Sequence, residues 1–280
     1  MTIARQAQGR NIDNRTVEGF GQEWAAFDQS TLPEAEMKRQ FDDFFATFDL
    51  TNLGEGFDLG CGSGRWAKFI APLATKLHLI DPAEEALEVA RRNLAGATNV
   101  TFTCAGSDNI PLPDESQDFG YSIGVLHHIP DTEQAMRDAV RKLKKGGQFG
   151  TYLYYRFDNR PAWFRGLWRA SDSIRRRVSR LPFGARKALT TVAAGVVYYP
   201  LSRAALLLEK AGRDVDSFPL AWYRHRNFYS MRTDALDRFG TRLENRFTKD
   251  EIRAMMERCG LTDIKFSDRR PYWVASGTKR

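Results

Sequence analysis

Between residues 55 and 152, short apolar runs alternate with helix-patterned segments. GEGFDLG is followed by RWAKFIAPLA, KLHLID by PAEEALEVARRNLAG, NVTFTCA by a polar loop, and QDFGYSIGVLHH by DTEQAMRDAVRKLKKGG and then QFGTYLYYR. Strands and helices at this pitch can all be buried only in an open, mostly parallel sheet with helices on both faces. YSIGVL is apolar enough for a strand covered on both sides. PAEEALEVARRNLAG has acids in its first turn, arginines near its end and a closing glycine, as the helix dipole and capping favour. The pattern resumes in TKDEIRAMMERCG, where Thr248 and Glu251 form a capping box. TDIKFS and YWVASG then read as two strands joined by DRRP, a hairpin at the sheet edge. The predicted fold is α/β: a doubly wound, seven-stranded, mostly parallel sheet with a helical insertion after the fifth strand. Residues 1–49 are expected to form a helical lid, with Phe41, Phe44, Phe45 and Phe48 at helical spacing. Residues 50–155 form the core, 156–247 a basic helical insertion too long for a loop, and 248–280 the helix and strand pair that complete the core.

Charge separates the insertion from the rest. Residues 156–246 hold 19 Lys/Arg against 8 Asp/Glu, a local excess of +11, while the whole chain carries +7. The basic character therefore belongs to one segment and points to a local partner surface. The three cysteines, Cys61, Cys104 and Cys259, are far apart and match neither a disulfide framework nor a metal site. Together with an N-terminus, MTIARQAQGRNIDNR, that has no apolar run, they predict a reduced, cytoplasmic protein.

FDLGCGSGRW joins the first strand to the first helix and carries Gly60, Gly62 and Gly64. In this architecture ligands sit at the carboxyl ends of the strands, where strand order reverses. A dinucleotide fingerprint would read G-x-G-x-x-G and present a helix N-terminus to a pyrophosphate. Here the pattern is G-x-G-x-G, with an acid two residues before it. Asp58 would repel a phosphate but suits a cationic amine. Asp81, at the end of the second strand, suits the two hydroxyls of a ribose. Asp108, in GSDNIPLP after the third strand, suits an adenine amino group. An amine, a diol and an adenine without phosphate describe S-adenosylmethionine (SAM) better than NAD.

FDLGCGSGRW, LIDPAEEALEVARRN, GSDNIPLPDESQDFGYSIGVLHHIPD and LKKGGQFGTYLYY resemble, in order, the motifs of class I SAM-dependent methyltransferases. The nearest group is the broad one that acts on small molecules, sugars, quinones and lipids. The resemblance covers about residues 50–155 and resumes at 247–280. It implies a Rossmann-like methyltransferase fold, SAM as cofactor and S-adenosylhomocysteine as product. It places Asp58 near the methionine amine and Gly60, Gly62 and Gly64 under the methionine and ribose. Asp81 and Pro82 fall by the ribose, Ser107, Asp108 and Asn109 by the adenine, and Gly124 and Leu126 in the loop after the fourth strand. The sequence has KKGG where the family often has a proline before the glycines.

Methyl transfer needs an aligned acceptor and, for a hydroxyl, a base. His127 and His128, in the loop that faces the cofactor cleft, are the candidate base pair. Candidate acceptor contacts are Tyr154, Tyr155 and Arg156 at the end of the fifth strand, and Tyr223, Arg224 and His225 in AWYRHRNFY. Trp24 and Phe27 are candidates for a lid. No metal-ligand spacing is present. The insertion places Trp163, Phe164, Leu167 and Trp168 among Arg165, Arg169, Arg175, Arg176 and Arg177. An apolar run at 188–201 follows, shorter than the about 20 residues a bilayer span needs. These features suit an in-plane membrane contact, a cap over the site, a homodimer face, or another anionic partner, and the sequence leaves all four open. A weaker resemblance of the C-terminal block to methyltransferases of bacterial polysaccharide and natural-product gene clusters leans toward a glycan-like acceptor. The expected activity is methyl transfer to an oxygen, or less readily a nitrogen, of a sugar-containing or lipid-linked metabolite. An RNA methyltransferase and an inactive SAM-binding regulator or partner subunit are the alternatives, and nucleic acid is disfavoured because the fourth strand ends in GVLHH. The expected location is the cytoplasm, with peripheral contact at the inner membrane face.

Overall fold

The computed structural model describes residues 11–27, 32–268 and 270–280. Most of MTIARQAQGRNIDNR, and parts of the expected lid and of DRRP, lie outside them. The chain divides into two compact units, Met1–Arg156 with Leu243–Arg280, and Phe157–Arg242.

The first unit is built on a seven-stranded sheet. Its strands are β1 (Glu55–Leu59), β2 (Lys76–Asp81), β3 (Val100–Cys104), β4 (Gln117–Ile123), β5 (Leu143–Tyr152), β6 (Leu261–Phe266) and β7 (Val274–Lys279). The order is β3-β2-β1-β4-β5-β7-β6. The first five strands in that order run parallel, and β7 pairs antiparallel with both β5 and β6. The order turns around between β1 and β4, which puts the ligand crevice at their carboxyl ends. Helices α1 (Asn14–Ala26), α2 (Glu34–Phe44), α3 (Ala67–Ile70), α4 (Glu84–Asn93), α5 (Thr132–Arg141) and α10 (Lys249–Arg258) belong to the same unit.

Two apolar layers cover the sheet. On one side Phe41, Phe45 and Phe48, on and just after α2, pack with Trp66, Leu87, Phe119 and Tyr121. On the other, Met136 and Val140 of α5 and Ile252 and Met256 of α10 pack on Phe57, Phe149 and Leu261. Each of the two central strands opposes a ring to its neighbour's glycine. Gly56 pairs with Phe119, and Phe57 pairs with Gly120. A Cβ on either glycine would lie 2.4 or 2.3 Å from the opposing ring. The Thr248–Glu251 capping box forms as predicted, and Asp131 caps α5 by accepting from the Gln134 amide. Two local expectations change. The helix before KKGG stops at Arg141, and β5 already begins at Leu143, because Leu143 pairs with Gln117 and a bulge follows on the ladder. RWAKFIAPLA gives only one α-turn, Ala67–Ile70, followed by a 3-10 turn that holds Pro72.

The second unit is helical: α6 (Ala162–Val178), α7 (Phe183–Ala193), α8 (Tyr199–Lys210) and α9 (Phe228–Gly240). A π-turn, Ala194–Tyr198, joins α7 to α8 without a break. The 188–201 run is thus part of a continuous 28-residue helix, Phe183–Lys210, long and apolar enough by length and composition to cross a membrane. The helix is longer than the apolar run because it continues past the charges that bound the run, Arg186 and Lys187 at one end and Arg203 at the other. Several basic residues face inward. Arg175 is buried, paired to Asp172 at 2.7 Å and donating to the Thr241 carbonyl at 2.9 Å. Arg186 donates to Gly240 O and Arg203 to Arg226 O. Part of the +11 excess therefore holds this unit together.

Candidate functional site

The carboxyl ends of β1, β2, β3 and β4 carry the predicted acids and glycines along one edge of the sheet. After β1, the chain turns through Gly60 (φ +77°), Gly62 (φ +53°) and Gly64 (φ +73°). All three sit in the left-handed region that side chains disfavour. The turn is pinned from β2: the Gly60 amide donates to Ile80 O at 2.7 Å, and the Gly62 amide donates to Asp81 Oδ2 at 2.9 Å. Asp81 Oδ1 accepts from the Ala83 amide at 2.9 Å, which fixes the Pro82 turn. Each carboxylate oxygen still has a second lone-pair site for a hydroxyl. Trp24 of α1 covers the loop, since a Cβ on Gly62 would lie 2.9 Å from its indole. The Arg65 guanidinium is stacked 4.2 Å from the Trp66 ring centroid and 5.7 Å from that of Trp24.

Asp58 is 1% exposed. Burial pushes its carboxyl up to about 8; the Tyr121 hydroxyl and Arg65 pull against this, and the Asp81 charge adds to it. Burial likewise pushes Asp81 up to about 6, against the bonds from Ala83 and Gly62. The site thus holds two buried acids that no fixed cation among the described residues, Arg65 included, returns to the ordinary carboxylate range. Asp58 Oδ2, Ser107 Oγ and Asp108 Oδ1 are buried and have no hydrogen-bond partner among the described residues. Asp108 and Asn109 lie in a 3-10 turn, Ser107–Asn109. Asp108 Oδ2 accepts from the Asn11 amide at 3.4 Å. The Asn11 side chain bridges to the Asp131 backbone through two bonds of 2.8 Å.

After β4, Gly124 (φ +80°) turns the chain into the 3-10 turn Leu126–His128. Leu126 is fully buried in the core. His127 is fully buried, with its ring between His128 (centroids 4.1 Å apart) and Tyr154 (3.9 Å, stacked). Burial first, then His128 and Arg246, hold its imidazole well below the ordinary value, so it is neutral. His128 Nδ1 lies 2.7 Å from Leu243 O. A carbonyl only accepts, so Nδ1 carries a proton, and in the neutral ring Nε2 is the acceptor. The returning segment 243–247 lies across this turn: the Asn245 amide donates to His127 O, its side chain donates to Ile129 O, and Arg246 stands 5.0 Å from the Tyr154 ring centroid.

Residues 57–150 match the protein family described as Methyltransferase domain. This segment is a class I SAM-dependent methyltransferase domain. SAM is its cofactor, and the unpartnered oxygens of Asp58, Ser107 and Asp108 fit a ligand with a cationic amine and a nucleoside. Over 94 residues the methyltransferase domain is 32% identical to the uncharacterized methyltransferase YcgJ of Bacillus subtilis, covering 33% of this chain and 37% of that protein. It is 29% identical over 115 residues to the methyltransferase GfsG of Streptomyces halstedii, covering 40% and 41%. The chain thus spans about two fifths of the length of these two relatives. In fold it is similar to SibL, an S-adenosylmethionine-dependent methyltransferase (TM-score 0.51, 16% identity, 88% of this chain and 56% of that one). It is also similar to a SAM-dependent methyltransferase of Thermotoga maritima (TM-score 0.50, 17% identity, 95% and 100%).

The methyltransferase domain brings Tyr154 to the histidine turn, but Tyr155 packs on Tyr272 and Trp273 instead. Arg156 pairs with Glu251 at 2.9 Å and donates to Arg246 O. Phe27 caps α1 and is 2% exposed. Tyr223, Arg224 and His225 belong to the second unit. There Tyr223 packs on Tyr198, while Arg224 and His225 both reach Glu209, at 2.7 and 2.8 Å. Three participants escaped the sequence reading: Asn11, Tyr121 and the 243–246 segment. Each acts across a long sequence separation, and no local motif marks it.

Proposed function

We propose that the chain is a methyltransferase that moves the methyl group of SAM to an oxygen, less readily a nitrogen, of a sugar-containing or lipid-linked small metabolite. The observation that carries the reading is the buried Asp58–Asp81 pair, two raised carboxyls at the ends of adjacent strands. Asp58 would hold the amine, Asp81 the ribose, and Asp108 with Ser107 the adenine. When bound, SAM supplies an activated methyl on a sulfonium. The chain's own residues then orient the acceptor and move a proton. His128, with Nδ1 fixed on Leu243 O, offers Nε2 as the base, and the buried His127 supports it by packing between His128 and Tyr154. The acceptor class rests on the resemblance and on the basic insertion.

The test is methyl-labelled SAM incubated with the purified protein and aqueous, lipid and RNA fractions of a bacterial lysate. Label in the aqueous or lipid fraction is expected. Label confined to RNA would replace the acceptor, and tight SAM binding with no label anywhere would favour a binding subunit.

A further inference from the structure

Among the described residues, every exposed large apolar side chain except Leu73 belongs to residues 157–242. Most of them are ordered into stripes. On the continuous helix Phe183–Lys210, the residues Thr190, Ala194, Tyr198, Ser202 and Ala205 are buried. The first part of this face packs on Met231 and Ala235 of α9, the last on Val215 and Ala221. The π-turn resets the helical phase, so buried positions recur every fourth residue from Thr190 to Ser202. Between them, at helical spacing, stand Leu189, Val192, Val196, Tyr199 and Leu207, which are 50, 59, 67, 47 and 68% exposed. A helix that is apolar beyond its buried face has a second surface to cover. On α6, Trp163, Leu167 and Ile174 repeat the pattern, each more than half exposed. Exposed Arg169, Arg176, Arg177 and Arg180 lie along and just beyond α6, and Lys210 and Arg213 lie at the end of α8.

We propose that this face docks on an anionic lipid bilayer, with the Phe183–Lys210 helix lying in the plane of the interface. The valines and leucines would enter the acyl boundary, Trp163 and Tyr199 would sit at headgroup level, and the flanking arginines and lysines would meet lipid phosphates. The helix has the length and composition to cross a bilayer, but its Thr190–Ser202 face is held by protein, and α9, which covers it, carries Arg232, Asp234, Asp237 and Arg238. Such a helix lies on the membrane instead of crossing it. Charge decides between a bilayer and a second copy of this chain: a copy would bring two segments of +11 together, whereas an anionic surface complements them.

The inference stands apart from the choice of acceptor and is tested without turnover. The purified protein of residues 1–280 is floated with vesicles of phosphatidylcholine alone or mixed with phosphatidylglycerol, at low and high salt. Flotation with the mixed vesicles is expected, about tenfold or more weaker with phosphatidylcholine alone or in high salt. Val192→Asp with Val196→Asp is expected to lower partitioning about tenfold or more, and Leu73→Asp to leave it unchanged. Arg177→Glu with Arg180→Glu, which alters only exposed side chains, gives an independent arm if the valine variant misfolds. S-adenosylhomocysteine affinity and circular dichroism check folding in each case. No flotation with the anionic vesicles, or flotation indifferent to both variants, overturns the proposal. So does a dimer in sedimentation that Val196→Asp dissociates while vesicles are ignored, because the face would then belong to a second copy.

Discussion

Cofactor binding should release a proton, because Asp58 must ionise to hold a cationic amine. Burial pushes the free carboxyl up to about 8. At that value about half of the sites are ionised at pH 8, about a tenth at pH 7 and about a hundredth at pH 6. If only the carboxylate binds the ammonium, and the ligand's amine is itself half deprotonated at pH 8, apparent affinity should fall roughly twenty-fivefold from pH 8 to pH 6, or about 1.9 kcal/mol. Above pH 8 the gain should stop, because the ligand's own α-amino group, with an ordinary pKa of about 8, loses its charge. The assay is isothermal titration calorimetry with S-adenosylhomocysteine, which keeps the amine and ribose but cannot react. Buffers of different ionisation enthalpy count the protons, and close to one should leave per ligand at pH 7. Asp58→Asn cannot ionise, so its affinity should be nearly flat from pH 6 to 8 and about twenty-fivefold or more weaker than wild type at pH 8. Equal affinity at pH 6 and 8 in the wild type, with no proton released, would refute the reasoning.

The same raised acids set the stability of the ligand-free protein. Their folded values, about 8 for Asp58 and about 6 for Asp81, exceed the ordinary carboxylate value, so the stability they contribute is full below about pH 4 and is lost as pH rises through about 6 and then 8. Scanning calorimetry should therefore show Asp58→Asn gaining on wild type as pH rises from 5 to 8.5; a constant difference would remove Asp58 as the cause. Gly62→Ala places a methyl 2.9 Å from Trp24 at a positive φ, so a loss of about 1–3 kcal/mol and weaker cofactor binding are expected. An unchanged melting temperature and affinity would show that Trp24 does not cover the loop. His128→Ala should lower kcat about 100-fold or more with little change in cofactor affinity, whereas His127→Ala should act mainly on stability. A loss of only a few-fold in both would end the base assignment.

The alternation of strands and helices was legible because each segment carries its own period and caps. The Thr248–Glu251 box and the Asp58, Asp81 and glycine positions are local signals, and they land where the chain order of the fold requires. The hidden features depend on pairing across the sequence. Nothing in GEGF or DFGY announces that Gly56 makes room for Phe119 and Gly120 for Phe57. Asn11 meets Asp131, and Leu243 meets His128, across 120 and 115 residues. Side-chain commitments were equally invisible: Arg156, Arg224 and His225 read as ligand contacts, yet each has an acidic partner within the chain. In the insertion, the charge count was correct, but it did not separate Arg175, buried against Asp172, from exposed Arg177.

The most direct test of the central claim is a crystal structure of the protein soaked with S-adenosylhomocysteine. The three acids should mark the three ends of the ligand: the ammonium within about 3 Å of the Asp58 carboxylate, the ribose hydroxyls on Asp81, and the adenine amino group on Asp108. A ligand bound elsewhere, or in the crevice with its ribose away from Asp81 and its amine away from Asp58, would contradict the account.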